Sequence, residues 1–318
     1  MIRALIIATL LAASTLTTSA QEHTVVFYNV ENLFDTLNDP AVADEEFLPL
    51  ADRAWSAERY RAKLQLIANA LTNIAPQPPT LIGLAEVENR AVIQDLLQTA
   101  PLENANYAIC HYDSPDERGI DVALLYQPDR FHYIGSRAIT ATAVSPTRDI
   151  LTVWGEMDGH PTFIVVVHWP SRIGGVRFTE SERRVCARQV REVVDSVMIQ
   201  NPATRIIVMG DMNDNPRNKS LTEDLRAKRR PTQPTELYNP FAEVRRGSSV
   251  YDGRWNKYDN IVVSINTPLL PIDGKRRAAI YRHPSLLTRR GTPCPTYNGI
   301  DYKGGASDHL PIYIVIGE

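Results

Sequence analysis

Residues 205–214 read RIIVMGDMND, an apolar run that leads directly into a glycine and a group of carboxylate and amide side chains. An uninterrupted apolar run predicts a strand that is covered on both faces of its sheet. The tetrapeptide Gly210-Asp211-Met212-Asn213 alone is as typical of a turn as of a site, because Gly, Asp and Asn are common turn residues. The rest of the chain has to decide between these two interpretations.

Polar side chains flank five further apolar runs of the chain. They are Asn29 and Glu31 at the end of run 24–30, Glu86 after run 80–85, His168 at the end of run 162–168, Asp259 at the start of run 258–264, and Asp308 with His309 before run 311–316. Binding and catalytic residues usually lie where a rigid strand passes into a loop. Six such strand ends favour one shared site over six unrelated turns.

The remaining pattern predicts an α/β (α+β) fold. Further strands are predicted at 107–111, 121–126, 131–140 and 150–157, and helices at 56–74, 91–100 and 179–199, the last opened by a Thr179-x-x-Glu182 capping box. Residues 231–249 are predicted to form a long loop. These elements suit two packed sheets with helices outside, and because no linker divides the chain, we expect residues 21–318 to form a single domain.

The first twenty residues predict an export signal. Arg3 precedes the apolar run Ala4–Ala13, and Ala20 is a small residue at the expected cleavage point. The run is too short to span a bilayer, although an uncleaved anchor is the alternative interpretation. We therefore expect residues 1–20 to be a signal peptide, and the mature chain to be periplasmic or extracellular with no integral membrane segment.

Cysteine usage and charge exclude some classes of protein. The spacing of Cys110, Cys186 and Cys294 fits no zinc motif, so we expect packing roles and at most one disulfide. Without residues 1–20 the chain has 33 basic and 37 acidic residues, a net charge of −4, which does not suit a protein that coats nucleic acid broadly. The basic clusters at 226–230, 245–246, 275–277 and 289–290 are either solvated loops or contacts to phosphate.

The polar residue types at the strand ends point to phosphoester chemistry. Carboxylate and amide oxygens are the ligands that hard divalent cations prefer. Histidines beside them suit proton transfer or phosphate binding. Together they predict metal-assisted hydrolysis, in which the cation offsets developing charge and a base activates water.

The order and spacing of these motifs resemble the endonuclease/exonuclease/phosphatase superfamily. The likeness runs from about Val25 to Ile316, and three phrases, at 28–35, 118–126 and 168–172, look like its bacterial secreted endonuclease-like branch. The resemblance implies a four-layer sandwich of two mixed β-sheets that pack face to face between helices. It also implies Mg²⁺ or Mn²⁺ as cofactor, with Ca²⁺ as a possible structural ion.

The resemblance also implies residue roles. Glu86 would be the principal metal ligand, supported by Asn29, Glu31 and Asp308. Asp211 would activate the attacking water, and His309, paired with Asp259, would act as base or phosphate clamp, although these two roles are exchangeable. Asn213 and His168 would hold the scissile phosphate. Arg118 and Arg172 are either further phosphate contacts or structural ion pairs, and Asp121 would order the Arg118 loop.

Three functions remain open at this point. We expect hydrolysis of phosphodiesters, with nucleic acid as the first substrate class, by a monomeric enzyme. The second keeps the mechanism but changes the substrate to sphingomyelin or to an inositol or sugar phosphate. The third is a secreted binding protein that has the fold without catalysis.

Overall fold

The computed structural model describes residues 21–143 and 146–317, so the predicted signal peptide lies outside the described residues. The β-strands of the two large sheets are β1 His23–Leu33, β2 Leu81–Val87, β3 Ala108–His111, β4 Asp121–Tyr126, β5 His132–Ile139, β6 Ile150–Met157, β7 His160–His168, β8 Arg205–Asp211, β9 Ala227–Lys228, β10 Leu237–Tyr238, β13 Asp259–Ser264, β14 Ala279–Ile280 and β17 Ile312–Ile316. Two small hairpins are formed by β11 Ser249–Tyr251 with β12 Arg254–Asn256, and by β15 Tyr297–Asn298 with β16 Asp301–Tyr302.

The helices are α1 Ala57–Asn73, α2 Arg90–Leu97 and α3 Val176–Gln200. Short 3-10 helices lie at Glu45–Phe47, Leu102–Asn104, Pro240–Ala242 and Pro284–Leu286, and a π-helical turn at Ser220–Asp224. Across the described ranges, 21–143 and 146–317, no helix is long and apolar enough to cross a membrane.

The architecture is the predicted four-layer sandwich. One sheet has the order β14-β17-β1-β2-β4-β3, and the other the order β5-β6-β7-β8-β13-β10-β9. Buried apolar side chains form one core between the first sheet and α1 and α2, a second between the two sheets, and a third between the second sheet and α3. The strands are apolar on both faces because each sheet packs against a layer on either side.

Several of the predicted boundaries are wrong, including the end of α2, which lies at Leu97 instead of residue 100. Helix α3 begins at Val176, one turn before the predicted capping box, and its N-cap residue is Gly175. Thr179 therefore lies inside the helix, where its hydroxyl donates to the carbonyl of Gly175 at 3.1 Å and accepts from Arg183. The predicted loop 231–249 contains β10, which pairs with β13 and extends the second sheet. Strands of two residues leave too short a pattern to detect in a sequence.

The three cysteines are unpaired. Cys110 and Cys186 are buried in the second and third cores, and Cys294 is half-buried. Burial raises the pKa of the Cys110 and Cys186 thiols to about 11, which keeps them protonated and unreactive at neutral pH. They act as packing residues, as expected.

Candidate active site

The strand pairing brings the predicted polar side chains to one edge of the sandwich. β1 is parallel to β2, and β7 is parallel to β8, so the carboxyl ends of each pair lie together. β13 and β17 run antiparallel to β8 and β1, so their amino ends lie at that same edge. In this register Asp259 pairs with Asp211, and His168 also pairs with Asp211. The predicted site is therefore a property of the sheet topology.

Glycine 210 is required by the close approach of β7 to β8. A Cβ atom at position 210 would lie 2.1 Å from the carbonyl oxygen of Val167. The backbone of Asp211 then accepts a hydrogen bond from Trp169 N at 2.9 Å, which holds the two strand ends together. The Gly-Asp motif thus fixes the position of the Asp211 carboxylate against β7.

Asn29 connects the carboxylates of Glu86 and Asp211. Its Nδ2 donates to Glu86 Oε1 and to Asp211 Oδ2, both at 3.1 Å. Its Oδ1 accepts from the backbone N of Glu31 at 2.9 Å, while Asn32 N donates to Glu86 Oε2 at 2.9 Å. In this orientation Asn29 would support a metal by orienting two carboxylates, since its amide oxygen already has a partner.

Glu31 lies behind the predicted metal ligands. Its carboxylate accepts from the backbone N of Thr296 and of Asp308, both at 2.8 Å. Burial and the charge of Asp308 raise the pKa of Glu31 to about 7, although Lys63 opposes the shift. This network ties the 296–308 segment to the end of β1, so Glu31 positions Asp308.

Lys63 is a buried charge that the sequence interpretation missed. It lies on α1 with 1% of its surface exposed, and its Nζ donates to the carbonyl of Glu31 and, at 2.5 Å, to Thr296 Oγ1. Burial lowers its pKa to about 8, while Glu31 and Glu86 oppose this. Position 63 falls on the apolar stripe of α1, four residues before Ile67, and a charged residue on such a stripe is a sign of a buried partner.

His309 is held by a buried carboxylate. Its Nδ1 lies 2.7 Å from Asp259 Oδ2, and this oxygen also accepts from the hydroxyl of Ser248. Burial lowers the pKa of His309, but the charges of Asp259 and Asp308 outweigh burial and raise it well above its ordinary value. Its Nε2 faces Asp211 Oδ2 at 3.8 Å. Ser248 was missed because it lies in the predicted loop.

His168 approaches the same Asp211 oxygen as His309. Its Nε2 lies 3.8 Å from Glu86 Oε1 and 3.7 Å from Asp211 Oδ2. Burial and the nearby guanidinium groups of Arg148 and Arg118 lower the pKa of His168 well below its ordinary value. A neutral imidazole beside a protonated His309 gives the site one uncharged and one cationic group.

Asp211 and Asn213 form the turn between the two histidines. Asn213 has a φ of 48°, and its backbone N donates to Asp211 Oδ1 at 2.9 Å. Its side chain donates to the carbonyl of Trp169 at 3.0 Å. Burial and the charge of Asp259 raise the pKa of Asp211 to about 6. Asp211 is thus ionised at neutral pH, and accepts a proton more readily than an exposed aspartate.

The two predicted arginines differ in their surroundings. Arg172 donates to the carbonyl of Asn213 at 2.7 Å and pairs with Asp214 at 2.5 Å, so it stabilises the turn. Arg118 is half-exposed, 3.7 Å from Asp116, and near enough to lower the pKa of His168. Asp121 accepts from Ser114 N at 2.9 Å, which orders the loop before Arg118 as expected.

The donor set fits a hard divalent cation. Single ligand atoms of Asp211, Asp259 and His309 lie within 4.8 Å of one another, a group that among the described residues does not include the predicted ligands Glu86, Glu31 and Asp308. Glu86 and Asp308 add carboxylates near the same space, Glu86 with 14% and Asp308 with 56% of its side chain exposed. Buried like charges of this kind are stabilised by a cation, and the oxygen donors match the preference of Mg²⁺ and Mn²⁺.

Solved structures of low sequence identity share this fold. Truncated Caenorhabditis elegans TDP2 superposes with a TM-score of 0.61 at 16% identity, over 93% of this chain and 98% of that chain. D. rerio TDP2, complexed with single strand DNA product, gives 0.59 at 17% identity, over 93% and 99%. Mannosyl-6-phosphatase Bt3783 of Bacteroides thetaiotaomicron gives 0.56 at 16% identity, over 92% and 98%.

Sequence comparison identifies the family. No curated protein matches the chain. The family described as Endonuclease/Exonuclease/phosphatase family matches residues 24–318, which include every site residue discussed above. The chain therefore belongs to the endonuclease/exonuclease/phosphatase family of phosphoesterase hydrolases.

Proposed function

We propose that the protein hydrolyses phosphodiester bonds of nucleic acid with the help of Mg²⁺ or Mn²⁺. The observation that carries this proposal is the convergence of Glu86, Asp211, His168 and His309 on one space at the edge of the sandwich. A bound divalent cation would polarise a phosphoryl oxygen and offset the charge that develops on it. Glu86 and Asp308 are the residues that would hold this cation.

The surroundings of the other residues support a role for each. Asp211, with a pKa raised to about 6, accepts a proton from the attacking water. His309, kept protonated by Asp259, binds a non-bridging oxygen or gives a proton to the leaving oxygen. Neutral His168 and the amide of Asn213 complete the phosphate contacts. Phosphorus gains the water oxygen and loses the ester oxygen, and the water proton passes to Asp211.

A basic rim beside the site favours an extended polyanion. The basic rim consists of Arg217, Arg246, Lys257 and Arg282, none of which forms an ion pair among the residues that the structure describes. Burial and the repulsion from the positive charges of Arg217 and Arg229 lower the pKa of Lys257. Burial and the positive charge of Arg246 lower the pKa of Arg282 in the same way. Cations that repel one another are stabilised by a ligand with several phosphates.

The basic rim is joined to the catalytic residues through the backbone. Lys257 lies two residues before Asp259, and its backbone N donates to Asn215 Oδ1 at 2.8 Å. Arg282 donates to the carbonyl of Gly247 at 2.8 Å, next to Ser248, and its guanidinium lies 4.4 Å from the ring centre of Trp255. Phosphates that flank the scissile bond would contact this rim, while a base stacks near Trp255.

One observation favours a second candidate, a lipid phosphodiester. Ile173 and Phe178 are 83% and 81% exposed, and they follow Arg172, which contacts the Asn213 turn. Exposed apolar side chains at the border of a site suit contact with an apolar substrate or a membrane surface. The sequence did not reveal this segment, because the exposure of single apolar residues such as Ile173 and Phe178 depends on the tertiary structure.

A substrate panel separates these candidates. The chain without residues 1–20 is incubated with plasmid, single-stranded DNA, RNA, sphingomyelin vesicles and a sugar phosphate, in Mg²⁺, Mn²⁺ or EDTA. We expect cleavage of nucleic acid that EDTA abolishes and that Glu86→Gln reduces by roughly 10²-fold or more. Turnover of sphingomyelin alone would transfer the proposal to the lipid candidate, and no turnover of any substrate would favour a binding protein.

A further inference from the structure

A buried ion pair that the proposed mechanism does not use lies behind the candidate active site. Arg148 Nη1 lies 2.9 Å from Asp116 Oδ2, and each of the two side chains has 6% of its surface exposed. The attraction between buried charges is largely offset by the loss of their hydration, so such a pair needs further hydrogen bonds to both groups. The remaining contacts of Asp116 and Arg148 therefore indicate what the pair stabilises.

Asp116 fixes the turn that carries Arg118. Its Oδ1 accepts from the backbone N of Arg118 at 3.0 Å, and its carbonyl accepts from Gly119 N at 2.9 Å. Gly119 has a φ of 66°, and a Cβ atom there would lie 2.7 Å from a methyl carbon of Val42, so the turn packs closely against the loop before α1. Both carboxylate oxygens of Asp116 are thus occupied, one by the turn and one by Arg148.

Arg148 connects this turn to the ends of β7 and β8. Its Nη2 donates to the carbonyl of Trp169 at 2.9 Å, and the same carbonyl accepts from the side chain of Asn213 at 3.0 Å. Trp169 N in turn donates to the carbonyl of Asp211 at 2.9 Å. One guanidinium group therefore joins the 116–119 turn to the strand ends of the candidate active site.

The guanidinium group of Arg118 is available to a substrate. Its side chain is 51% exposed, and its one ion pair among the described residues is with Asp116 Oδ1 at 3.7 Å, which is too long for a hydrogen bond. Besides burial, the charges of Arg148 and Arg118 lower the pKa of His168, so both guanidinium groups lie near its ring. Arg118 therefore lies at the border of the site without a strong partner there.

We propose that Asp116 and Arg148 are positioning residues, which hold the guanidinium of Arg118 beside His168 so that it contacts a phosphate oxygen of the substrate. This role rests on the proposed phosphoester hydrolysis. Arg148 suits it because the planar fork of arginine donates to two different groups in a fixed geometry, which the single ammonium of lysine does not reproduce. A group that is fixed before the substrate binds loses less conformational entropy in the complex.

Amide hydrogen exchange tests the bridge without any substrate. In the chain without residues 1–20, Arg148→Lys should make the amides of Gly119 and Trp169 exchange roughly 10-fold faster, the effect of losing a hydrogen bond to a charged group. Exchange in the centre of β8 should not change. Arg184→Lys is the matched control, since Arg184 forms an ion pair with Asp224 at 2.6 Å and contacts none of these backbone groups.

Kinetics then test whether the bridge serves catalysis, on the phosphoester that the substrate panel identifies. Arg148→Lys and Asp116→Asn should each lower kcat/KM by roughly 10²-fold, the effect of a misplacement of about 1 Å. In an Arg118→Ala background, Arg148→Lys should lower kcat/KM much less, because the group that it positions has been removed. Arg184→Lys should keep the kcat/KM of the wild type.

A further variant separates positioning from stability. Asp116→Asn combined with Arg148→Met leaves no unpaired buried charge, so it should unfold at a higher temperature than Arg148→Met alone and still show the full loss of kcat/KM. Recovery of kcat/KM together with the Tm would mean that the pair only stabilises the fold, and would overturn the proposal.

The remaining outcomes distinguish this role from the proposed function. No turnover of any substrate by the wild type would reject the proposed function, and the role of the pair in it as well. With turnover present, the role alone is overturned if Arg148→Lys leaves the exchange rates unchanged, or if its loss of kcat/KM multiplies in full with that of Arg118→Ala.

Discussion

His309 Nδ1 lies 2.7 Å from Asp259 Oδ2, in a site where Asp259 starts the strand that pairs with Asp211. A histidine held in this way has a fixed ring orientation and a stabilised imidazolium, because the buried carboxylate accepts from one ring nitrogen and leaves the other to the substrate. Asp259 is 2% exposed, so water does not weaken the pair.

Replacing Asp259 by Asn should therefore change the pH dependence as well as the rate. Without the carboxylate the pKa of His309 falls, so the loss of activity on the alkaline side should move to lower pH. We expect kcat to fall by roughly 10²-fold or more. A pH profile of kcat measures both effects, and a variant that is slower with an unmoved profile would contradict the assigned role of Asp259.

His309→Ala should reduce kcat by roughly 10²- to 10⁴-fold, because it removes a proton donor or a phosphate clamp. His132→Ala is the control, since His132 is exposed on β5 at the far edge of the second sheet. Full activity of His309→Ala on every cleaved substrate would exclude the proposed mechanism.

Lys63→Met should destabilise the fold by about 3 kcal/mol, because it leaves Glu31 and its carboxylate neighbours without their buried cation. Urea denaturation followed by fluorescence measures the free energy of unfolding. The exposed Lys219→Met serves as control and should lie within about 0.5 kcal/mol of the wild type. Equal stability of the two variants would show that Lys63 does not compensate for those carboxylates.

The double variant Lys257→Ala, Arg282→Ala should weaken binding of plasmid DNA and reduce its salt dependence, because two phosphate contacts are lost. Turnover of a small synthetic phosphodiester should change little. Binding is measured by fluorescence anisotropy from about 50 to 200 mM salt with catalytically impaired Glu86→Gln protein. If exposed Arg289→Ala weakens binding as much as the double variant, the basic rim has no special part in recognition.

His23 should make the protein less stable in acid. It is 1% exposed between Thr80 and Asp158, and burial lowers its pKa below the ordinary 6.5 even though Asp158 opposes the shift. The unfolded chain then binds the proton more readily, so stability is full above pH 6.5 and is lost as the pH falls through the folded pKa. The slope of the unfolding free energy against pH, measured by urea denaturation at several pH values, should decrease by the equivalent of up to one proton in His23→Gln. It should stay unchanged in the control His132→Gln, since His132 is exposed.

Much of the site could be predicted from the sequence, because strands are recognisable from the apolar pattern of neighbouring residues. The apolar runs that end in Glu86, His168 and Asp211 are continuous stretches, and their polar ends can be recognised without knowledge of pairing. The order of these ends, together with the resemblance of the motifs, predicted the four-layer sandwich. The ends of helices depend on capping preferences that are weaker than the apolar pattern, and so the start of α3 was wrongly predicted at Thr179.

The sequence by itself determined which residue types stand at the strand ends, and hence the family and its phosphoester chemistry. Only the tertiary structure decided how each one acts: that Asn29 offers its nitrogen to two carboxylates, that Glu31 binds backbone amides, and that Lys63 is buried behind them. The physical reason is that strand character is read from neighbouring residues, whereas hydrogen-bond partners, burial and pKa depend on groups that are distant in the chain.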